Sequence, residues 1–200
     1  MVKRFVSLLS AEAGNYEKII KKIEAQNYDG LHFDIMDGHF VKNFAFGPGL
    51  IKSLRKITKL PFQAHLEIEN PGEYIDMFIE CGCDIITLHP QTCKIEKELK
   101  YLRAKNIITS VAIDPYIKIT EVLNYLGLID NIIIMSVYPG FGEQKFQASS
   151  FMKIKRLREI INAGNHNITI SVDGGVNEDI EKKLIKLGSD ILIYGSSLFK

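Results

Sequence analysis

The stretch Gly30-Leu-His-Phe-Asp-Ile-Met-Asp-Gly38 is a strand-like segment that carries a histidine and two carboxylates where a buried strand usually carries aliphatic side chains. Side chains alternate between the two faces of a strand, so His32, Asp34 and Met36 share one face. The other face is apolar and consists of Leu31, Phe33 and Ile35. An imidazole and a carboxylate two residues apart can both bind a divalent cation, and a carboxylate can also transfer a proton. A core histidine hydrogen-bonded to a core aspartate explains the stretch equally well.

The composition is that of an ordinary globular protein with one core. The chain has 200 residues, of which 46% are hydrophobic and 24% are charged, and its formal net charge is +1. This length suits one domain, which we expect to span residues 1–200. The balance of charges gives no basic patch of the kind that binds nucleic acid, so we expect no nucleic-acid partner.

The cysteines and the apolar runs predict a cytoplasmic protein. Cys81, Cys83 and Cys93 are few and odd in number, which favours free thiols in a reducing compartment. Cys81-Gly-Cys83 lacks the spacer and the second ligand pair of a structural zinc site. The N-terminal apolar run is short and leads directly into a strand, unlike a signal peptide. No apolar run approaches the ~20 residues that cross a bilayer, so we expect no membrane association.

Strand-like and helix-like segments alternate along the whole chain, which is typical of a parallel sheet with crossover helices. Strands are predicted at 4–9, 30–38, 62–67, 84–88, 107–113, 131–137, 168–173 and 190–194. Helices are predicted at 15–26, 49–57, 71 onward, 95–105, 117–125, 149–163 and 178–187. Eight such units predict a (β/α)₈ TIM barrel rather than an open doubly wound sheet. Only six residues follow the last strand, so the eighth outer helix is expected to be missing or truncated.

Polar residues occur where the predicted strands end, which is the edge at which TIM barrels carry their catalytic groups. Asp34, His65, Met135 and Asp173 all lie at such ends. Parity places His65 on the same face as Gln63 and Glu67, and Asp173 on the same face as Thr169 and Ser171. Together with His32, these residues offer two imidazoles and two carboxylates, a donor set suited to Zn²⁺, Fe²⁺, Mn²⁺ or Co²⁺. The alternative for each residue is a hydrogen-bonded polar group of the core.

Glycine-rich stretches follow the last three predicted strands. They are Pro139-Gly140-Phe141-Gly142, Gly174-Gly175 and Gly195-Ser196. Backbone amides in such loops can bind phosphate, and many barrels hold phosphate after their last strands. The three stretches together favour a phosphorylated small substrate.

These motifs resemble those of the ribulose-phosphate 3-epimerase family, in register from Ser7 to Phe199. The matching stretches are Ser7-Leu-Leu-Ser-Ala11, His32 to Val41 with Asn43, Phe46-Gly47-Pro48, His65-Leu66, Ile86-Thr-Leu-His-Pro90, Met135-Ser-Val137, Pro139-Gly-Phe-Gly142 with Gln144 and Phe146, Val172-Asp-Gly-Gly-Val176, and Gly195-Ser196 with Phe199. The resemblance implies a barrel enzyme, an isomerase that epimerises C3 of a ketose phosphate, most simply D-ribulose 5-phosphate to D-xylulose 5-phosphate. It also implies a homo-oligomer, which would cover the apolar surface left by a missing eighth helix.

The resemblance implies roles for particular residues. One divalent metal ion would be held by His32, Asp34, His65 and Asp173, and Asp34 and Asp173 would act as acid and base on opposite faces of an enediolate. Asp37 faces the other way by parity and is expected to hold the following loop. The implied substrate-binding residues are Ser7, Met36, His65, Met135, Gly140, Phe141, Gly142, Glu143, Gly174, Gly175, Gly195 and Ser196.

The sequence departs from the family at positions that face the substrate. Glu67 replaces a methionine, Tyr138 an asparagine and Glu143 a glycine. These changes leave open an allulose-6-phosphate 3-epimerase, or a catalytically weak barrel that only binds a sugar phosphate. A decarboxylase of the orotidine-phosphate type is disfavoured, because Asp34-Ile-Met36 lacks the lysine of its Asp-x-Lys pair.

Overall fold

The computed structural model describes residues 1–199, which form a closed barrel of parallel strands. The barrel strands are β1 (Lys3–Ser7), β2 (Gly30–Asp37), β3 (Phe62–Glu67), β4 (Ile85–Leu88), β5 (Ile108–Ile113), β6 (Asn131–Met135), β7 (Thr169–Asp173) and β8 (Ile191–Tyr194). Each strand pairs in parallel with the next, and β1 closes the barrel by pairing with both β2 and β8. The predicted TIM barrel is therefore confirmed.

Helices surround the barrel and connect its strands. They are α1 (Tyr16–Ala25), α2 (Pro48–Leu54), α3 (Ile75–Glu80), α4 (Ile95–Ala104), α5 (Ser150–Ala163) and α6 (Glu178–Lys186). The helix predicted at 117–125 is wrong, because Ile119–Glu121 and Leu123–Leu128 form 3₁₀ turns there. β-Branched residues at 117, 119, 120 and 122 and a glycine at 127 disfavour a regular α-helix in this short connection.

Two apolar layers pack on the two sides of the barrel wall. Outward-facing strand residues such as Leu31, Phe33 and Ile35 belong to the large core between barrel and helices. The barrel interior has its own smaller cluster, which consists of Phe5, Ile85, Ala112, Ile133, Met135, Ile191 and Ile193. Ser171, which was predicted to face inward, is buried there and accepts a hydrogen bond from Asn131 at 2.7 Å. Polar groups above this layer therefore meet at the carboxyl end of the barrel.

The loop after β2 is tied to the barrel by Asp37, as the parity argument predicted. Asp37 Oδ1 accepts from the backbone N–H of His39 at 2.8 Å, and Oδ2 accepts from the backbone N–H of Glu69 at 3.0 Å. The two-residue antiparallel strand Phe44–Ala45 pairs with the end of β2 and was not predicted from the sequence. This loop forms one wall above the carboxyl end of the barrel.

The segment after β8 is a single 3₁₀ turn, Ser196–Leu198, and an α-helix does not follow it within residues 1–199. Leu198 and Phe199 pack partly buried against the large core. Within the part of the chain that the structure describes, helices with both the length and the apolar character required to span a bilayer are absent.

Candidate active site

Four buried side chains from three strands meet at the carboxyl end of the barrel. His32 and Asp34 come from β2, His65 from β3 and Asp173 from the end of β7, and one donor atom of each lies within 4.8 Å of the others. His32 Nε2 lies 3.1 Å from Asp34 Oδ1 and 3.5 Å from Asp173 Oδ2. His65 Nδ1 lies 3.3 Å from Asp34 Oδ1 and 4.0 Å from Asp173 Oδ2. All four residues predicted as metal ligands are therefore brought together.

The donor set fits a divalent metal ion. Two donors that each lie ~2.1 Å from one tetrahedral ion are ~3.4 Å apart, close to the separations seen here. The two imidazoles and two carboxylates offer the nitrogen and oxygen ligands that Zn²⁺, Fe²⁺, Mn²⁺ and Co²⁺ accept. The cluster can thus bind a divalent metal, whose identity the donor atoms leave open.

His32 is held in one orientation by two buried residues below it. Its Nδ1 lies 3.0 Å from Gln63 Oε1, and Gln63 Nε2 donates to Thr87 Oγ1 at 3.1 Å. Because the amide nitrogen of Gln63 is engaged by Thr87, its oxygen accepts from the Nδ1–H of His32. The Nε2 atom of His32 then faces the carboxylates, which is the orientation that metal binding through Nε2 requires.

His65 is held by a second chain of buried groups that sequence reasoning did not assign to the site. His65 Nε2 lies 2.8 Å from His89 Nε2, and His89 Nδ1 lies 3.2 Å from Asp114 Oδ1. The angle at this last contact is unsuitable for a hydrogen bond, so the attraction between the two groups is mainly electrostatic. The negative charge of Asp114 favours the tautomer of His89 that carries its proton on Nδ1. His89 Nε2 then accepts a hydrogen bond from the Nε2–H of His65, so the lone pair on His65 Nδ1 faces the cluster. His89 lies two residues after Thr87, so the alternation of side chains along a strand predicts that both face the barrel interior. This is the sequence signal that could have identified His89.

The loop that carries Asp114 is also well anchored. Lys153 of α5 donates to the backbone carbonyls of Asp114, Pro115 and Ile117 at 2.6, 2.8 and 2.7 Å. Gln91 donates to Asp114 Oδ2. Asp114 is fully buried; burial raises its pKa, but the contact with His89 outweighs this and the pKa lies below its ordinary value. The carboxylate of Asp114 therefore places a fixed negative charge beside His89, which in turn contacts His65.

The two aspartates of the cluster differ in their surroundings. Burial raises the pKa of Asp34, but the neighbouring His32 outweighs burial and lowers that pKa overall, and Ser7 Oγ donates to Asp34 Oδ2 at 2.7 Å. Burial raises the pKa of Asp173 to about 7, and the nearby charge of Asp34 adds to this rise. Burial lowers the pKa of His32, but Asp34 outweighs it and raises the pKa to about 9. Burial lowers the pKa of His65 to about 4. The cluster thus combines one strong anion with one carboxyl group that is readily protonated.

A cavity opens above the four-residue cluster, and glycine loops contribute to its lining. The predicted residues that line it are Ser7, Asp34, Met36, Met135, Gly140, Phe141, Gly142, Glu143, Asp173, Gly174, Gly175, Gly195 and Ser196. His65, which was also predicted to touch substrate, is fully buried beneath the cavity and does not line it. Of the four candidate metal ligands, the two aspartates thus line the cavity and the two histidines lie beneath it.

The loop after β7 requires glycine at two successive positions. Gly174 and Gly175 have φ of 106° and 64°, values that side chains with a Cβ rarely adopt. A Cβ on Gly175 would also lie 2.6 Å from the backbone nitrogen of Phe146. The two glycines let backbone approach backbone closely, which leaves N–H groups available to an anion.

The departures from the family pattern fall into two kinds. Glu143 adopts a left-handed conformation with φ of 59° at the position where the family has glycine, and it is exposed at the rim. Tyr138 is also exposed at the rim and stacks on Tyr116 with ring centroids 6.3 Å apart. Glu67, in contrast, is 1% exposed and lines the cavity wall. Of these three residues, only Glu67 has a buried ionisable group that lines the cavity.

Comparison with known proteins gives one consistent family. A family model for the ribulose-phosphate 3 epimerase family matches residues 4–199. The ribulose-phosphate 3-epimerase of Bacillus subtilis is 33% identical over 201 residues, which cover 100% of this chain and 93% of the relative. That of Methanocaldococcus jannaschii is 36% identical over 203 residues, covering 100% and 85%.

Solved structures with lower identity support the fold alone. A 3-hexulose-6-phosphate synthase superposes with a TM-score of 0.74 at 18% identity and covers 99% of this chain and 92% of its own. A mutant tryptophan synthase α-subunit from Pyrococcus furiosus gives a TM-score of 0.73 at 14% identity, covering 99% and 90%.

Proposed function

The chain belongs to the ribulose-phosphate 3-epimerase family, and on that premise we propose that it catalyses the metal-dependent epimerisation of a ketose phosphate at C3, interconverting D-ribulose 5-phosphate and D-xylulose 5-phosphate. The observation that carries this proposal is the convergence of Asp34 and Asp173 with two imidazoles at a cavity that glycine loops also line. Such an arrangement can hold a small phosphorylated molecule across two carboxylates.

Inversion at C3 requires one carboxylate to remove the proton and a second to return a proton to the other face of the planar intermediate. Asp34 and Asp173 both line the cavity and come from β2 and β7, between which β1 and β8 lie. Two acid/base groups on separate strands can reach the two faces of one carbon. In our proposal Asp34 and Asp173 exchange these roles between the forward and reverse reactions.

We propose that His32, Asp34, His65 and Asp173 hold one divalent metal ion. When bound, the ion supplies electrostatic stabilisation of the negative charge that develops on the substrate oxygens after proton removal. The chain's own contribution is to fix the donors: Gln63 orients His32, and His89 with Asp114 orients His65. This support keeps the donor atoms converged without a ligand.

Backbone groups bind the substrate phosphate in this proposal. The described residues that line the cavity include neither lysine nor arginine, so neutral groups must bind the phosphate: the N–H groups of the glycine loops, and hydroxyls such as those of Ser10 and Ser196. Glu143 is exposed at the rim, and in this proposal its backbone N–H, not its carboxylate, faces the phosphate. Its carboxylate therefore need not repel a phosphate.

The decisive experiment is exchange of the C3 proton with deuterated solvent. The purified protein with added Mn²⁺ or Zn²⁺ should exchange the C3 proton of D-ribulose 5-phosphate, followed by NMR, and Asp34→Asn should abolish exchange while circular dichroism shows a folded protein. Faster exchange with D-allulose 6-phosphate would assign the hexulose phosphate as substrate. If calorimetry shows binding of either sugar phosphate but the C3 proton does not exchange, the protein is a sugar-phosphate-binding protein rather than an epimerase.

A further inference from the structure

We propose that Glu67 is a specificity-determining residue whose carboxyl group accepts a hydrogen bond from the hydroxyl at the unphosphorylated end of the ketose. This inference rests on the proposed function, because it takes the ligand to be a ketose phosphate bound in the cavity. It concerns a residue at which the chain departs from its family.

Glu67 is buried at the end of β3 with an unused acceptor. It is 1% exposed, its Oε1 lies 3.8 Å from His65 Nδ1, and its Oε2 has no hydrogen-bond partner among the described residues. An unpartnered buried polar atom is costly, and most such atoms in folded proteins find a donor. A donor from a bound molecule would satisfy Oε2, because Glu67 lines the same cavity as Asp34 and Asp173.

The surroundings of Glu67 favour a neutral donor on an organic ligand. The charged side chains that act on it most strongly are the carboxylates of Asp34, Asp173 and Asp114, and the cavity lining contributes no lysine or arginine among residues 1–199. A sugar hydroxyl is a neutral donor that needs no counter-charge from the protein.

The position of Glu67 makes it a poor metal ligand. It lies outside the set of four donors that are all within 4.8 Å of one another. Its other nearby donors are His65 and His89, but the two Nε2 atoms of these rings are 2.8 Å apart and already engaged with each other. The organic ligand is therefore the partner that the geometry favours.

The barrel topology indicates which end of the ligand Glu67 meets. In the closed order of strands, β3 and β7 lie four strands apart in either direction, so they face each other across the barrel. The glycines proposed to hold phosphate follow β7 and β8, and Asp173 directly precedes the first of them, whereas Glu67 lies on β3 and pairs in register with Met36 of β2. The backbone N–H of Gly140, in the loop after β6, also acts on Glu67. A ketose with its phosphate at those glycines and its reacting carbon at the cluster directs its other terminus, the C1 hydroxymethyl group, toward Glu67.

The test compares two ligands on three proteins. The ligands are D-xylulose 5-phosphate and its 1-deoxy analogue, and the proteins are the wild type, Glu67→Met and Glu67→Gln, each with Mn²⁺. Calorimetry gives the Kd of each ligand, and solvent exchange at C3 is measured separately. Methionine is the family residue at this position, so Glu67→Met is a replacement that the fold is expected to tolerate, and Glu67→Gln retains an acceptor oxygen.

Removal of the C1 hydroxyl should weaken binding to the wild type by about 10- to 100-fold, the effect of one hydrogen bond to a carboxylate. The same change should weaken binding to Glu67→Met only about 3-fold or less, and Glu67→Gln should recover part of the discrimination between the two ligands.

Equal losses of affinity in the wild type and Glu67→Met would overturn the role of Glu67 while leaving the enzymatic proposal intact. Absence of exchange by the wild type would overturn the proposed reaction, whereas the ratio of Kd values would still decide the role of Glu67. Failure of both ligands to bind would overturn both.

Discussion

Asp34 and Asp173 are chemically identical side chains in one cluster, but their contacts differ. Asp34 accepts a hydrogen bond from Ser7 and faces both imidazoles, whereas Asp173 lies 3.5 Å from His32 Nε2 at the cavity wall. The pKa of Asp34 is lowered, and that of Asp173 is raised to about 7. The surroundings of the two carboxyl groups therefore shift their pKa values in opposite directions.

We predict that Asp173→Asn lowers the rate of C3 proton exchange by about 10²- to 10⁴-fold, because an amide cannot accept or return the proton. The readout is NMR-detected exchange in deuterated solvent, with the melting temperature as a check on folding. Glu96→Gln is a matched control, because Glu96 lies exposed on α4 and forms an ion pair with Lys100 on the same helix. Undiminished exchange in Asp173→Asn would remove Asp173 from the reaction.

At the scale of elements, the strand ends are fastened to the loops and to one another by buried polar contacts. Asp37 fastens the loop after β2 to the segment after β3, and the chain from His65 through His89 to Asp114 connects β3, β4 and the loop after β5. Such contacts restrict the orientation of the donor atoms. The two connections give separate predictions, one for stability and one for metal affinity.

We predict that Asp37→Asn destabilises the protein by about 1–2 kcal/mol at pH 7 and by less near pH 3. Burial raises the pKa of Asp37, but the backbone N–H groups of His39, Glu69 and Phe40 outweigh it and lower the pKa below its ordinary value. The stabilisation is therefore present above the unfolded-state pKa of ~4 and is lost as the pH falls through the folded-state value. Urea denaturation at both pH values measures the difference. A gap of equal size at pH 3 would contradict the assignment.

We predict that Asp114→Asn weakens divalent metal binding by about 10- to 100-fold, because the charge that orients His89 and through it His65 is lost. Competition with a chromophoric chelator measures the affinity. Glu121→Gln, which changes an exposed carboxylate on a 3₁₀ turn, is the control and should bind metal like the wild type. Equal affinities of Asp114→Asn and the control would show that the chain behind His65 is only structural.

At the scale of the whole molecule, closure of the barrel makes the site. Residues from β1, β2, β3, β6, β7 and the segment after β8 line one cavity although they are far apart in the sequence. A ligand that binds only this assembled state must stabilise the folded protein. Binding of a metal ion to the four-residue cluster would therefore stabilise the folded state.

We predict that Mn²⁺ or Zn²⁺ binds with one equivalent per chain and raises the melting temperature by about 5–10 °C at a free concentration of ~100 times Kd. Differential scanning calorimetry with and without a chelator measures the shift. His32→Gln removes one donor and should reduce the shift strongly. A shift that survives in this variant would place the metal elsewhere.

The outer surface motivates a prediction about assembly. Phe44 is 80% exposed and Met77 43% exposed, and both line an apolar groove beside the loop after β2. We expect the chain to form a homo-oligomer, because exposed apolar surface of this kind is typical of interfaces. Sedimentation velocity should give a mass of at least twice 22.7 kDa at micromolar concentration. A stable, well-folded species of 22.7 kDa would contradict the expectation.

The architecture and the main site residues could be predicted from the sequence because the signals that specify them are local. Alternation of strand-like and helix-like segments indicates the barrel, and parity along β2 separates His32 and Asp34 from Asp37. Strand parity and glycine position depend only on neighbouring residues. The same local signals failed at 117–128, where an apolar pattern typical of a helix forms 3₁₀ turns.

Contacts between residues far apart in the chain were decided only by the tertiary structure. Closure of the barrel brings His65 to His89, His89 to Asp114 and Gln63 to His32, and it leaves an oxygen of Glu67 buried without a partner. Local patterns cannot show such contacts, because the distance between two strands depends on pairing register and on the packing of every strand between them. The sequence by itself thus determined the barrel and its candidate metal ligands, because strand parity is a local property. Only the folded chain decided what orients those ligands and which buried carboxylate at the cavity has an oxygen without a partner among residues 1–199.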